Sequence, residues 1–273
     1  MAGFGTSFLL QKPITKASLI NCIITSVTTH RFFIPSSCID QNWVTMPNEI
    51  SQQICKVLRL DVGDAVIVLD NSGFQYTVIL SQVNPKTVAG KITSKLENRA
   101  EPETKISLYQ ALIPREKFET VLQKGTEIGI DRFVPLETKR TLIKKNTYGE
   151  QKLTRWTRIV QESSEQSERG FIPEIVSPTS FKEAILEAVK SDVALLAAER
   201  ESSGGSPGLL ALLENSKKVS LFIGPEGGFE DSELEFAQKA GVKLINLGPR
   251  IFRSETAGLV LATLVLFSTG DLG

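Results

Sequence analysis

From Lys105 onward, short runs of branched and aromatic residues alternate with segments of helical period. That alternation confines the larger part of the chain to an α/β fold with a mainly parallel sheet covered on both faces. KISLYQAL, RFVPL, PEIVS, VALLAA, VSLFIG and VKLINLG are the strand candidates. In REKFETVLQKGTEIG, the side chains of Phe118, Val121, Leu122 and Ile128 fall on one face, behind Pro114, whose fixed φ suits a helix start. In SFKEAILEAVK, Phe181, Ala184, Ile185, Ala188 and Val189 do the same behind a Ser180 cap. Both segments are expected to cover the sheet.

Ahead of this region the pattern is different. AVIVLD, FQYTVILSQV and TVAGKI have the short alternation of strands, and Asp70-Asn71-Ser72-Gly73 turns the first into the second. The expected boundary lies at residues 98–104, which separates a small β unit (30–98) from the α/β unit (104–273). Residues 1–29 carry only Lys12 and Lys16 as charges and no acid, a composition like an organelle transit peptide. A start codon placed too early is the competing explanation. Gly204, Gly205, Ser206, Pro207 and Gly208 read as a flexible loop.

Several function classes fall to composition. Lys plus Arg and Asp plus Glu each number 31, so any nucleic-acid surface has to be a local patch. Cys22, Cys38 and Cys55 are far apart and lack CxxC spacing, and the single histidine, His30, cannot supply an HExxH site, so no metal is expected. The same scarcity removes most hydrolase chemistry. The longest apolar run, residues 259–267, falls well short of the roughly 20 residues that span a bilayer, and reads as a buried helix with no membrane partner.

The chemistry is expected at two strand ends. VSLFIG runs into Gly224, Pro225, Glu226, Gly227, Gly228 and Phe229, then into the acidic cap-like residues Glu230, Asp231 and Ser232. Such a turn lets a ligand approach the backbone and presents free N–H groups at a helix start, although a turn that merely needs positive φ angles has the same look. It matches neither GxGxxG nor a P-loop. The next strand ends in Leu247, Gly248, Pro249 and Arg250 and continues through Ile251, Phe252, Arg253, Ser254, Glu255, Thr256 and Ala257. Two neighbouring strand ends of this kind suit a ligand crevice at the carboxyl edge of an α/β sheet. Arg253 and Glu255 would also suit a solvated ion pair.

GPEGGF together with LGPRIFRSETA resembles the RsmE family of 16S rRNA (uracil-N3) methyltransferases, of the SPOUT class. Further matches occur in order: HRFF at residues 30–33, KVLRL at 56–60 with Gly63 and Asp64, KGTEIG at 124–129 with Pro135 and Leu136, and Arg140. Then come Arg155-Trp156, the group Glu165, Gln166, Ser167 and Arg169 with Pro173, and the closing GDLG. HRFF and KVLRL occur readily as strand patterns, whereas the ordered set is specific. The resemblance runs from His30 to Gly273. Gln52 and Gln53 stand where the family often has histidines, and Phe252 where it often has leucine.

The resemblance implies an N-terminal PUA-like β-barrel that binds RNA, followed by an α/β methyltransferase domain with a deep trefoil knot. It implies S-adenosyl-L-methionine held by Gly224, Pro225, Glu226, Gly227 and Gly228 on one loop, and by Leu247, Gly248, Pro249, Ile251, Phe252, Arg253, Thr256 and Ala257 on the other. The implied partners are a second copy of the chain and small-subunit ribosomal RNA, expected within an assembled subunit. The implied compartment is the cytoplasm, or a plastid or mitochondrion if residues 1–29 are a transit peptide. Methylation of uridine N3 needs the imide proton removed and the resulting charge stabilised, for which Arg140, Arg169 and Arg253 are candidate donors and Glu165 and Glu255 candidate acceptors. Arg31, Lys56, Arg59 and Lys124 are candidate RNA contacts, with a simple i, i+3 pair to Glu127 as the alternative for Lys124. A non-catalytic RNA-binding relative, or a knotted methyltransferase acting on another RNA, would share the pocket.

Overall fold

A computed structural model describes residues 29–143, 149–198 and 209–272. The N-terminal extension up to residue 28 and the glycine-rich stretch 204–208 lie outside the described residues.

The first unit is a six-stranded sheet in the order β1-β4-β5-β6-β3-β2, where β1 is Arg31–Phe33, β2 Ile39–Asp40, β3 Trp43–Thr45, β4 Ala65–Leu69, β5 Phe74–Asn84 and β6 Thr87–Glu97. Alternate residues of these strands, including Val44, Val66, Val68, Tyr76, Val78 and Leu80, build its core. Asn71 (φ 63°) and Gly73 (φ 85°) make the turn between β4 and β5. Its helix, α1, covers Asn48–Gln52 and widens into a π turn over Gln53–Leu58. KVLRL, which looks strand-like in the sequence, therefore belongs largely to a helix. Ile54 is fully buried there, and Arg59 ends the helix in the left-handed region. Core contact through one helical face outweighs the strand preference of a short apolar string.

The second unit carries the expected parallel sheet. Its strands are β7 (Lys105–Ala111), β8 (Arg132–Glu137), β9 (Glu174–Ile175), β10 (Thr179–Ser180), β11 (Val193–Ala197), β12 (Lys218–Ile223) and β13 (Lys243–Ile245), in the order β10-β8-β7-β12-β11-β13, with β9 also on β8. Every pairing is parallel. The helices are α2 (Arg115–Ile128), α3 (Glu150–Gln166), α4 (Phe181–Ala188), α5 (Leu209–Leu213), α6 (Asp231–Ala240) and α7 (Ser254–Thr269). Phe118, Val121 and Leu122 are buried as the helical period requires, and Ser180 with Glu183 forms a reciprocal capping box on α4. One face of the sheet packs on α2, α3 and α7 and the other on α4 and α6. The run at 259–267 lies within α7, whose Leu261, Ala262, Val265 and Leu266 are buried.

The two units meet along a hydrogen-bonded seam. Asn71 Oδ1 accepts from the Ile172 N–H at 2.8 Å, Arg31 donates to Glu168 at 2.8 Å, and Glu165 Oε1 accepts from the Phe33 N–H at 3.0 Å. Beneath the seam Arg169, 3% exposed, donates to the carbonyls of Thr126 (3.2 Å) and Ile130 (2.6 Å) and in a fork to both carboxylate oxygens of Glu101 (3.2 and 2.7 Å). Glu101 also accepts the N–H groups of Gly170 and Phe171. One guanidinium thereby joins the linker before β7, the end of α2 and the chain after α3.

Burial alone would raise the pKa of Glu101, but the hydrogen bond and charge of Arg169, with the two N–H groups, outweigh it and hold the carboxyl below its ordinary value. A carboxyl depressed in the folded state stabilises above its unfolded pKa and loses that contribution as pH falls through the folded one. Arg169→Met should lower stability by about 3–5 kcal/mol, the cost of leaving a buried charge unpaired. Urea unfolding at neutral pH checks this. The gap between wild type and variant should narrow on acidification into the range below the ordinary carboxylate pKa.

Candidate active site

The carboxyl ends of β7 and β12 lie side by side at the centre of the sheet, and the start of α7 is tied to both. Gln110 Nε2 donates to Ser254 Oγ at 2.9 Å, and Ser254 Oγ donates to the Gly224 carbonyl at 2.5 Å. This chain of bonds brings the two glycine-rich segments to one place.

The first segment leaves β12 as a tight turn in which the Gly228 N–H bonds the Pro225 carbonyl at 2.9 Å and Gly228 has φ +68°. A Cβ at Gly224 would meet the ring of Phe229 at 3.2 Å, so this glycine serves packing. Phe229 in turn is buried against Phe181, with ring centroids 5.4 Å apart. Glu230 and Glu233 cap α6 reciprocally, and Glu233 also accepts the Lys139 N–H at 3.0 Å. Lys139 Nζ meets Glu230 at 3.1 Å and Ser232 at 2.7 Å. These contacts pin the loop after β8 against the start of α6. Arg140, the next residue, lies against Gly227 and donates to its carbonyl at 2.8 Å.

The second segment follows β13. Gly248 has φ +102°, and its N–H bonds Asn246 Oδ1 at 2.7 Å. Open space beside the Gly248 Cα and the exposure of Pro249, Arg250, Ile251 and Arg253 give the loop a free face. Leu247 and Phe252 pack against the core. Arg253 is the N-cap of α7: its carbonyl accepts the N–H groups of Thr256 and Ala257, both at 2.9 Å, so its side chain stands at the rim where the loop becomes helix. Thr256 is exposed and Ala257 buried in the first turn.

Lys117 joins the two segments. Its ammonium lies 2.9 Å from Glu226 and 3.8 Å from Glu255. Burial would raise the pKa of Glu226, but the bond and charge from Lys117 hold it below the ordinary value. Nothing in the sequence marks this lysine, because it sits mid-pattern on an amphipathic helix. Gln110 and Ser254 are equally silent as residue types, although the family motif contains Ser254.

The other candidates lie elsewhere. Arg169 is spent on the buried pair with Glu101 and on carbonyls, and Arg31 binds Gln75 and Glu168 in the seam. Glu165 is half-buried at the same seam, where burial lifts its pKa against the bonds from Phe33 and Gln161. Lys124 pairs with Glu127 at 2.8 Å. Lys56 and Arg59 are exposed at the end of α1. Among the described residues no group of three or more His, Cys, Asp or Glu is placed to hold a metal, and no helix is long and apolar enough to cross a membrane.

Residues 100–266 match the family described as RNA methyltransferase domain, and residues 54–93 match the RNA methyltransferase PUA domain. Among similar sequences, the ribosomal RNA small subunit methyltransferase E of Mesomycoplasma hyopneumoniae is 32% identical over 86% of this chain and 97% of its own. That of a Synechocystis strain is 31% identical over 93% and 82%. Among solved structures, a putative methyltransferase from Legionella pneumophila, in complex with S-adenosylmethionine, is 30% identical over 89% of this chain and 98% of its own, with a TM-score of 0.79. The small subunit methyltransferase E of Neisseria gonorrhoeae, also bound to S-adenosylmethionine, has the same fold at 24% identity and a TM-score of 0.78.

Ser254→Ala removes the hydroxyl that links Gln110 to Gly224 and leaves a buried amide and carbonyl short of a partner. A loss of about 1–3 kcal/mol is expected on chemical unfolding, with the fold retained. Stability equal to wild type would mean that the strand ends are held together by packing alone.

Proposed function

The chain belongs to the ribosomal RNA small subunit methyltransferase E family of RNA methyltransferases, and from that premise we propose that it methylates N3 of a uridine in small-subunit ribosomal RNA, using S-adenosylmethionine. Membership carries the trefoil-knotted SPOUT fold with its PUA-like barrel. The observation that carries the chemistry is the meeting of the two glycine-rich loops at the start of α7, with Arg140 and Arg253 at its rim.

The residues fit the cofactor. Gly228 and Gly248 have open space where a Cβ would stand, and Ile251, 74% exposed, offers an apolar surface on the same loop. Gly227, Gly228, Leu247, Gly248, Pro249, Ile251, Phe252, Thr256 and Ala257 would hold it, with Pro225 and Glu226 shaping the first loop. When bound, S-adenosylmethionine supplies an electrophilic methyl group on a cationic sulfur. The chain's own residues have the remaining work: to orient the uracil, accept its imide proton and stabilise the negative charge that develops on its oxygens. A guanidinium at a helix start suits the last task, since it stays charged and presents a planar fork of donors. Arg253 has that place, with Arg140 as a second donor. The seam keeps Arg169 and Glu165 in positions that support the barrel.

The RNA partner would approach over the barrel and the rim, with exposed Lys56 and Arg59 as contacts within an assembled small subunit. The enzyme then works in whichever compartment holds those subunits. A second copy is the other proposed partner. Val260, Leu264 and Phe267 recur at i, i+4 and i+7 on α7, and Leu264 is 40% and Phe267 67% exposed in the single chain. An apolar row of this kind is the natural centre of an obligate interface, which typically buries more than about 2,000 Å² in total. Light scattering should report a dimer that Leu264→Glu with Phe267→Glu disrupts; a fully active wild-type monomer would refute it.

Mapping modified nucleosides in ribosomal RNA from cells with and without the gene tests the function: 3-methyluridine should disappear from the small subunit on deletion. In purified protein, Arg253→Ala should melt like wild type and bind cofactor yet slow single-turnover transfer by about a hundredfold. Arg253→Lys should recover part of that rate. Near wild-type transfer by Arg253→Ala would exclude the arginine from the chemistry.

A further inference from the structure

Two buried side-chain oxygens among the described residues lack a hydrogen-bond partner, Gln110 Oε1 and Glu255 Oε2. The first lies beneath Gly258, where an added Cβ would meet it at 3.2 Å, and so faces the interior of the fold. The second is different. Glu255 stands in the first turn of α7, beside the exposed Arg253, and among the described residues Lys117 faces its carboxylate at 3.8 Å, beyond hydrogen-bond length. A buried carboxylate oxygen lacking a donor is a place where a donor from a ligand gains more than it would in water.

Lys117 explains why that oxygen stays put. Its shorter contact is to Glu226, 2.9 Å away on the first loop, so its ammonium is anchored there and faces Glu255 without hydrogen-bonding it. The charged groups around Lys117 are thus Glu226 from the first loop, and Glu255 and Arg253 from the start of α7. We propose that Lys117 is a positioning residue for methyl transfer: by bridging Glu226 and Glu255, it holds Glu255 with one buried oxygen directed to accept the imide N–H of the target uracil. The proposal rests on the function given above and deepens it.

The atoms balance. Uracil N3 gives its proton to the Glu255 carboxylate while its electron pair forms the bond to the methyl carbon, and the pair of the broken carbon–sulfur bond stays on sulfur. The cationic donor and the carboxylate both become neutral, and Glu255 later returns the proton to water. Lys117 touches neither base nor methyl group in this scheme; it acts through Glu255.

The test uses the full-length chain with Lys117→Met, Lys117→Arg, Glu255→Gln and the double variant Lys117→Met/Glu255→Gln. The substrate is small ribosomal subunits from a strain lacking this methylation. Lys117→Met should slow single-turnover transfer about thirtyfold at saturation while half-saturation by subunits changes by less than about threefold, because the loss falls on the chemical step. Lys117→Arg should restore most of the rate. The double variant should be no slower than Glu255→Gln alone, since a residue acting through another has nothing left to act on. Calorimetry should show S-adenosylmethionine affinity within about threefold of wild type in each variant, a change too small to account for the lost rate. Losses that multiply in the double variant, an unaffected Lys117→Met rate, or a cofactor affinity loss that accounts for the whole defect would each overturn the proposal. So would a drop in melting temperature that Lys117→Arg shares. Wild type that binds S-adenosylmethionine but leaves the subunits unmethylated would instead refute the proposed substrate, and this assignment with it.

Discussion

The last helix is apolar on nearly every side, and a helix of that character has to be buried. Its inner face fills the groove between α2 and the strands β7 and β12, where Leu261, Ala262, Val265 and Leu266 are all inaccessible. Once the body of α7 is committed to that groove, its first turn must land over the carboxyl ends of β7 and β12. Gly258 allows the close approach, since an added Cβ would crowd Gln110, Leu108 and Ile223 at 3.2–3.4 Å. Ser254 then meets Gln110 and Gly224, Glu255 comes within reach of Lys117, and Arg253 is left at the rim. The geometry of the site is thus a consequence of where an apolar helix can go.

A second constraint sets the relation between the barrel and the α/β unit. The Arg169–Glu101 pair is costly to bury, and it is stable because every strong donor and acceptor around it is used: a forked ion pair, two carbonyls and two backbone N–H groups. It fixes the chain segments that carry Glu165, Glu168, Phe171 and Ile172, and these hold the barrel through Phe33, Arg31, Gly73 and Asn71. A seam of directional bonds fixes the orientation of one unit on the other better than an apolar contact alone.

Legibility in the sequence follows the range of the interactions concerned. The parallel sheet, α2, α4 and the turn at Asn71–Gly73 are local patterns of period and propensity, and they emerged where the residues placed them. KVLRL did not, because whether a short apolar string becomes strand or helix depends on which core it faces, and Ile54 faces the barrel core from a helix. The candidate cations divide on the same principle. Arg140 and Arg253 fall at the glycine loops, whereas Arg169 and Arg31, equally prominent as motif residues, are drawn into the buried pair and the seam.

The sequence by itself determined the α/β class, the β unit before it, the two glycine-rich strand ends and the family, because each rests on residue types at short spacings along the chain. The tertiary structure alone decided that Gly224 is needed for Phe229, that Lys117 joins the two loops and that Glu255 keeps an unsatisfied oxygen. The first depends on how one tight turn folds back on itself, the second joins residues more than a hundred positions apart, and the third is a property of burial. A hydrogen bond or an ion pair acts over a few ångströms of space, and only the packing of α7 and the loops onto the sheet brings those atoms within that distance.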